Sequence, residues 1–283
     1  MYDIAVLGGG PAGLSAALTA RARGKTVAVL SNNPEQSPLW RAVTIENYPG
    51  LPGASGEALI TAMTGQARAA GAEFIKCRVN GIVDTGDGFM LSAGADFYEA
   101  KTVILATGVV SAAKFPGEQE YLGSGVSYCA TCDGMLYKCK KAAVIGRSSD
   151  APEEANALFE IGVKVFYTGL TAERPAHLSQ DITYIPAKRV SIEGGQSAEA
   201  VVLDGERYDA EGVFILRETM APTAIFPELA MENGYIGTGR DMKTSVSGVF
   251  AAGDCTGKPL QIAKAVGEGL IAALSAVEYL SKK

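Results

Sequence analysis

"DIAVLGGGPAGLSAALTARARGKTVAVLS", residues 3–31, runs from an apolar stretch through three glycines into an alanine-rich stretch and back to an apolar one. That order reads as strand, tight turn, helix, strand. Gly8, Gly10 and Gly13 stand in GxGxxG spacing. In a dinucleotide-binding unit the first glycine permits the turn and the second lets backbone approach a pyrophosphate. The third lets helix and strand pack closely. Pro11 and Ala12 begin the helix, whose free N–H groups and positive end suit an anion. The spacing is weak in isolation and gains force from the strand before it and the helix after it. The acidic residue expected on a ribose at the end of the second strand is replaced by Ser31, so a contact there is weaker or made differently.

Two later stretches extend the pattern. "TVILATG", residues 102–108, is a buried strand running into Ala106, Thr107 and Gly108, and "GVFAAGD", residues 248–254, is another ending at Gly253 and Asp254. A carboxylate at that strand end either holds a ribityl or ribose hydroxyl or caps a helix. Residues 142–169 repeat strand, turn, helix and strand. With 283 residues, 47% hydrophobic, 20% charged and 34 glycines, the chain suits two α/β domains rich in strand-to-helix turns. A net charge of -6 without a long basic run argues against a general nucleic-acid binder. No apolar stretch reaches about 18 residues, so no membrane span is expected. The chain opens on a strand without a charged leader, which reads as cytoplasmic.

The five cysteines include one close pair, Cys129 and Cys132 in "CATCDG", with Asp133 directly after. Scattered Cys77, Cys139 and Cys255 make no secreted disulfide framework, and in a reducing compartment a CxxC pair is catalytic or metal-binding. Zinc would need two further ligands, and the only histidine, His177, reads as a surface residue. No metal is expected.

Together with "NYPG" at 47–50, these segments resemble the low-molecular-weight thioredoxin reductases, in order and over nearly the whole chain. The resemblance implies two dinucleotide-binding, Rossmann-like domains, the second inserted in the first. The expected boundaries are 1–112 and 242–283 for an FAD domain, with 113–241 as the inserted redox domain. It further implies FAD around Gly8, Gly10, Gly13, Asn47 and Asp254, with Gln261 near the isoalloxazine. Cys129 and Cys132 become the redox pair, Asp133 the acid that protonates a departing thiolate, thioredoxin the acceptor and a homodimer the assembly. Trp40 lies in a loop expected near the flavin, either as a hydrophobic anchor or as a lid.

The inserted domain departs from the resemblance. Gly146 remains, but Ser148 stands at the second glycine position, and Ala151 at the third. Tyr167, Thr168 and Gly169 replace the cationic residues that hold a 2′-phosphate in NADPH-dependent relatives, and Arg174 lies further along. Arg217 and Glu218 occupy a stretch where relatives have a glycine turn. These losses resemble the ferredoxin-dependent flavin thioredoxin reductases and imply ferredoxin as the donor. The drop from about -400 mV for low-potential ferredoxins to about -270 mV for thioredoxin is worth roughly 6 kcal/mol for two electrons. Competing readings are an NAD(P)H-dependent reductase with an atypical site and a flavin-binding redox sensor. Cys129 is expected to be the more exposed sulfur, attacking thioredoxin, and Cys132 the one facing the flavin. The basic run "YKCKK", 137–141, reads as a solvated turn or a docking patch, and the last helix as core or dimer contact.

Overall fold

The computed structural model describes residues 1–32, 34, 37, 39–109, 114–169, 171–217 and 221–282. By contacts the chain divides into two compact units, Met1–Val110 with Ala221–Lys283, and Ser111–Met220. The first segment supplies β1 (Tyr2–Leu7), α1 (Pro11–Ala22), β2 (Val27–Ser31), α2 (Gly56–Ala69), β3 (Glu73–Lys76), β4 (Gly81–Asp84), β5 (Phe89–Ala93) and β6 (Asp96–Leu105). The inserted unit holds β7 (Val126–Ser127), α3 (Ala130–Asp133), β8 (Lys141–Arg147), α4 (Ala151–Glu160), β9 (Lys164–Thr168) and β10 (Thr183–Tyr184). It continues with β11 (Val190–Gly194), β12 (Ala198–Leu203), β13 (Glu206–Asp209) and β14 (Gly212–Arg217). The last segment adds α5 (Pro222–Ile225), β15 (Met231–Glu232), β16 (Tyr235–Ile236), β17 (Val249–Ala251) and α6 (Ile262–Ser281).

In the first unit the sheet order is β3-β2-β1-β6-β5-β4, with β17 along β6. β1, β2, β3, β6 and β17 pair in parallel, and β5 and β4 extend the sheet antiparallel. Ile4, Ala5, Val6 and Leu7 are all buried, as a central strand covered on both faces requires. The helices α1 and α6 meet almost backbone to backbone. Ser15 Oγ donates to the Val266 carbonyl at 2.7 Å, and a Cβ on Gly269 would lie 2.1 Å from the Ala12 carbonyl oxygen.

The second unit has an all-parallel sheet, β10-β9-β8-β14-β7, and an antiparallel one, β11-β12-β13. Alternation along β8 and β14 sorts their side chains between two layers. Ala142, Val144, Phe214 and Leu216 pack with Leu158 of α4, whereas Ala143, Ile145, Val213 and Ile215 pack with Val201 of β12. Both units are thus Rossmann-like α/β folds, the second inserted in the first.

The return crossing falls at 220–221, where the sequence suggested 241–242. Aromatic packing explains the difference. Phe226 meets Phe89 of β5 edge-on at 6.1 Å, and Ala230 N donates to Ser245 Oγ at 2.9 Å. Residues 221–241 therefore belong with the first core.

Gly269→Ala forces the two helices apart at a backbone contact and should cost about 1–3 kcal/mol, lowering Tm by several degrees. Gly267, with no atom within 4 Å of its Cβ position, is the control. Equal Tm values for Gly269→Ala and Gly267→Ala would contradict the close approach.

Candidate active site

In the first unit the sequence fingerprint forms a turn that only glycine fits. Gly8 has φ +113°, and a Cβ there would lie 2.2 Å from the Ala106 carbonyl oxygen. A Cβ on Gly13 would lie 1.9 Å from the Gly8 carbonyl oxygen. Gly10 caps α1 with Pro11 at the first helical turn, and no atom lies within 4 Å of its Cβ position. Open space over that turn, at the start of a helix, fits a pyrophosphate. Ser31 Oγ lies against the turn, 2.9 Å from the Cβ position of Gly9. Ala106, Thr107 and Gly108 follow β6, with Gly108 at φ +72°, and Gly253 follows β17 at φ +87° against Ala12.

Asp254 comes next. It is half-buried, and among the described residues its carboxylate has no hydrogen-bond partner. Burial pushes this carboxyl above its ordinary range, with Lys264 opposing and Glu268 adding to the rise. It does not cap the long helix, because α6 starts at Ile262 with Gln261 as its cap. A free acceptor held at a strand end is what a ligand hydroxyl would meet. Lys264 and Glu268, one turn apart on α6, fix the loop that carries it. Lys264 Nζ donates to the Gly253 and Gly257 carbonyls at 2.7 Å, and Glu268 accepts from Gly253 N at 2.8 Å and Thr256 Oγ1 at 2.9 Å. Asn47 and Gln261 are joined directly, Nδ2 to Oε1 at 2.8 Å, both exposed. Trp40 packs against the first unit's core, as a loop anchor does.

In the second unit Cys129 and Cys132 form a disulfide. Cys129 caps α3, its Sγ accepting the Cys132 N–H at 3.1 Å. That position corrects the expected exposure: Cys129 is only 7% exposed, and Cys132 is the more exposed residue of the pair. Capping turns the Cys129 side chain into the helix start, while Cys132 sits a turn later in an exposed position. Asp133 is not alone. The hydroxyl of Ser127, at the end of β7, donates to its Oδ2 at 2.6 Å and accepts the Cys129 N–H at 3.1 Å. Ser127 is buried, so it ties the acid to the disulfide through one fixed hydroxyl.

The second glycine turn differs sharply from the first. Gly146 lies inside β8, paired with Leu216, and has no positive φ. The strand continues through Arg147, which pairs with Arg217, so the tight turn is gone. The Tyr167 hydroxyl sits 1.7 Å from the Cβ position of Gly146, and Tyr167 is buried within β9. Burial and then Tyr184 push its phenol up to about 12. Ser148 Oγ donates to the Leu216 carbonyl at 3.3 Å, and Arg174 donates to carbonyls of its own loop, at Leu178 and Ser179. Thr168 is buried, and Gly169 lies under the Tyr184 hydroxyl.

Arg217 grips Glu118 through both nitrogens, at 2.6 and 2.7 Å. Glu118 also accepts from Tyr128 Oη and from Phe115 N, each at 2.8 Å. Burial works against ionisation of Glu118, yet the bonds from Arg217, Phe115 and Tyr128 hold its carboxyl below the ordinary range. Arg147 and Arg217 stand over the Phe115 ring at 5.1 and 5.0 Å. Glu218 lies outside the described residues. Among the described residues no group of three or more metal-ligating side chains exists, and no helix is long and apolar enough to cross a membrane.

Sequence reasoning missed Ser127, Glu118 and the Lys264–Glu268 pair. Only the last left a signal, a lysine and a glutamate four apart on an otherwise apolar helix face.

Residues 2–269 match the family described as pyridine nucleotide-disulphide oxidoreductase. The whole chain is 33% identical to thioredoxin reductase of Bacillus subtilis, covering 96% of it, and 34% identical to that of Aquifex aeolicus, covering 94%. It is also similar to the solved ferredoxin-flavin thioredoxin reductase of Clostridium acetobutylicum, with TM-score 0.94 and 39% identity over 100% of this chain and 99% of that one. For a thioredoxin reductase of Gloeobacter violaceus the TM-score is 0.83, at 31% identity over 99% and 94% of the two chains.

Ser127→Ala should leave the disulfide able to form but slow its exchange with a thiol roughly tenfold, the effect of losing one hydrogen bond to a charged group. Ser127→Thr should restore most of the rate. Stopped-flow exchange kinetics check this, and an unchanged Ser127→Ala rate would remove Ser127 from the site.

Proposed function

The chain belongs to the thioredoxin reductases of the pyridine nucleotide-disulphide oxidoreductase family, and on that premise we propose that it carries electrons from reduced ferredoxin to thioredoxin. The cofactor is FAD, which when bound accepts electrons singly or in pairs and delivers a pair to a disulfide. Gly8, Gly10 and Gly13 would cradle its pyrophosphate with Pro11 and Ala12 at the helix start. Ser31 and Asp254 would meet hydroxyls, Ala106, Thr107, Gly108 and Gly253 would line the strand ends, and Asn47, Gln261 and Trp40 would flank the ring.

The observation that carries the donor reading is the second turn. Gly146 is part of a strand, Tyr167 lies against it, and Arg217 is committed to Glu118. Each of these disfavours a nicotinamide dinucleotide in the second unit, and together they favour a protein donor.

The chemistry of the chain's own residues then follows. The Cys129–Cys132 bond takes up two electrons and two protons and opens to a dithiol. Cys132, the more exposed residue of the pair, attacks the thioredoxin disulfide as its thiolate, and one thioredoxin sulfur departs. Asp133, held by Ser127, supplies a proton to a departing thiolate. Cys129 attacks Cys132 in the mixed disulfide, which restores the enzyme disulfide and releases reduced thioredoxin. Met135 and Leu136, 62% and 67% exposed just after the pair, offer apolar contact to that partner. We place the protein in the cytoplasm as a homodimer, a reading supported by exposed Leu270, Ile271 and Leu274 on one side of α6.

With reduced ferredoxin as the only reductant, the wild-type protein should reduce thioredoxin, and Cys129→Ser and Cys132→Ser should both stay yellow and turn over none. Cys129→Ser should trap thioredoxin as a stable mixed disulfide at Cys132, seen by mass spectrometry. Trapping only in Cys132→Ser would reverse the two sulfurs, and turnover by either variant would remove the pair from the reaction.

A further inference from the structure

Lys138, Lys140, Lys141 and Lys164 form a basic surface on an acidic chain, and they converge where the redox helix sits. A Cβ on Gly134, next to Asp133, would lie 2.6 Å from Leu158 Cδ2 and 3.1 Å from Ile161 Cδ1, so α3 is packed on the end of α4. The lysines gather around the same end. Cys139 N donates to the Gly162 carbonyl, and the Lys138 side chain runs past Gly162 within 3.7 Å of its Cβ position. Lys164 N donates to the Lys140 carbonyl at 2.8 Å, and Lys164 is the strand partner of Lys141. Lys140 Nζ lies 5.6 Å over the Tyr137 ring. Burial and then the charge of Asp133 raise the phenol of Tyr137.

All four lysines are exposed, and among the described residues none is paired with a carboxylate. Glu160 ends α4, and Glu211 N donates to the Lys141 carbonyl, so these two acids border the surface, and among the described residues neither carboxylate is paired with its lysines. A local positive charge on a chain of net charge -6 attracts an acidic protein to this face. We propose that these lysines are the electrostatic rim of the acceptor's docking surface, and that they recognise a thioredoxin whose active-site face carries acidic side chains. The proposal rests on thioredoxin being the acceptor. Exposed rim charges act on encounter more than on the chemical step, and steering of this kind is worth about 10–10³ in association rate at low salt.

The test uses the holoenzyme, reduced with dithionite so that no donor protein takes part. Lys138→Glu/Lys140→Glu/Lys164→Glu and the corresponding triple Gln variant are compared with wild type. Each is given an acidic thioredoxin or hydroxyethyl disulfide, which is small and neutral. The proposal expects kcat/KM for thioredoxin to fall roughly tenfold or more in the Glu variant at low salt and less in the Gln variant. The loss should lie in KM, the salt dependence should flatten or invert, and hydroxyethyl disulfide rates should be unchanged. Equal kcat/KM and equal salt slopes would overturn the docking surface alone. A wild-type protein that reduces hydroxyethyl disulfide but not thioredoxin would overturn the acceptor reading, and the docking surface with it.

Discussion

Glu118 is 1% exposed and carries a charge, and that single fact constrains the second unit. A buried carboxylate survives only with partners, and Arg217 supplies two hydrogen bonds to it. Removing the guanidinium would leave an unpaired buried charge, a loss of about 3–5 kcal/mol. The side chain at the end of β14 is therefore committed to Glu118. Tyr128, bonded to the same carboxylate, is the neighbour of Cys129, so the ion pair also fixes the chain entering the redox helix. Structure and chemistry meet at this point: the ion pair that occupies the end of β14 also holds the chain that leads into the redox helix.

The two units make an internal comparison. Both place a glycine at the end of a central parallel strand, before a helix that begins with proline in its first turn. In the first, Gly8 leaves the strand at φ +113° and Gly10 opens a space with no atom near it. In the second, Gly146 stays in the ladder and a tyrosine hydroxyl fills the volume beside it. Similar sequence motifs, differently completed, leave open space over the turn in one unit and are filled by packing in the other. What changed is the residue after the glycine and the side chain from the neighbouring strand, Arg147 and Tyr167.

How much of this could be read from the sequence depended on whether a residue's role was local. Gly8 and Gly13 were legible because the positive φ of Gly8 belongs to the turn itself and the missing Cβ of Gly13 answers the Gly8 carbonyl five residues away. The contact of Asn47 with Gln261 spans 214 positions, and only the resemblance put both near one ligand. Ser127 was not legible, since a serine two residues before a cysteine has no composition to mark it, and its meaning comes from where α3 brings Asp133. The exposure of the two cysteines was misjudged for a related reason: capping of α3 by Cys129 is a matter of three-dimensional turn geometry. The boundary near 220 escaped because residues 221–241 look like any loop and hairpin until Phe226 is seen against Phe89.

The central claim is that electrons reach this flavoprotein from a protein donor and not from a pyridine nucleotide. Anaerobic stopped-flow observation of the oxidised flavin band, with NADPH, NADH and reduced ferredoxin offered in turn, tests it most directly. The account predicts rapid bleaching by ferredoxin alone and none at useful rates by either nucleotide. Fast bleaching by NADPH or NADH would contradict it, because a ligand would then have displaced Tyr167 or the Arg217–Glu118 pair that the second unit is built around.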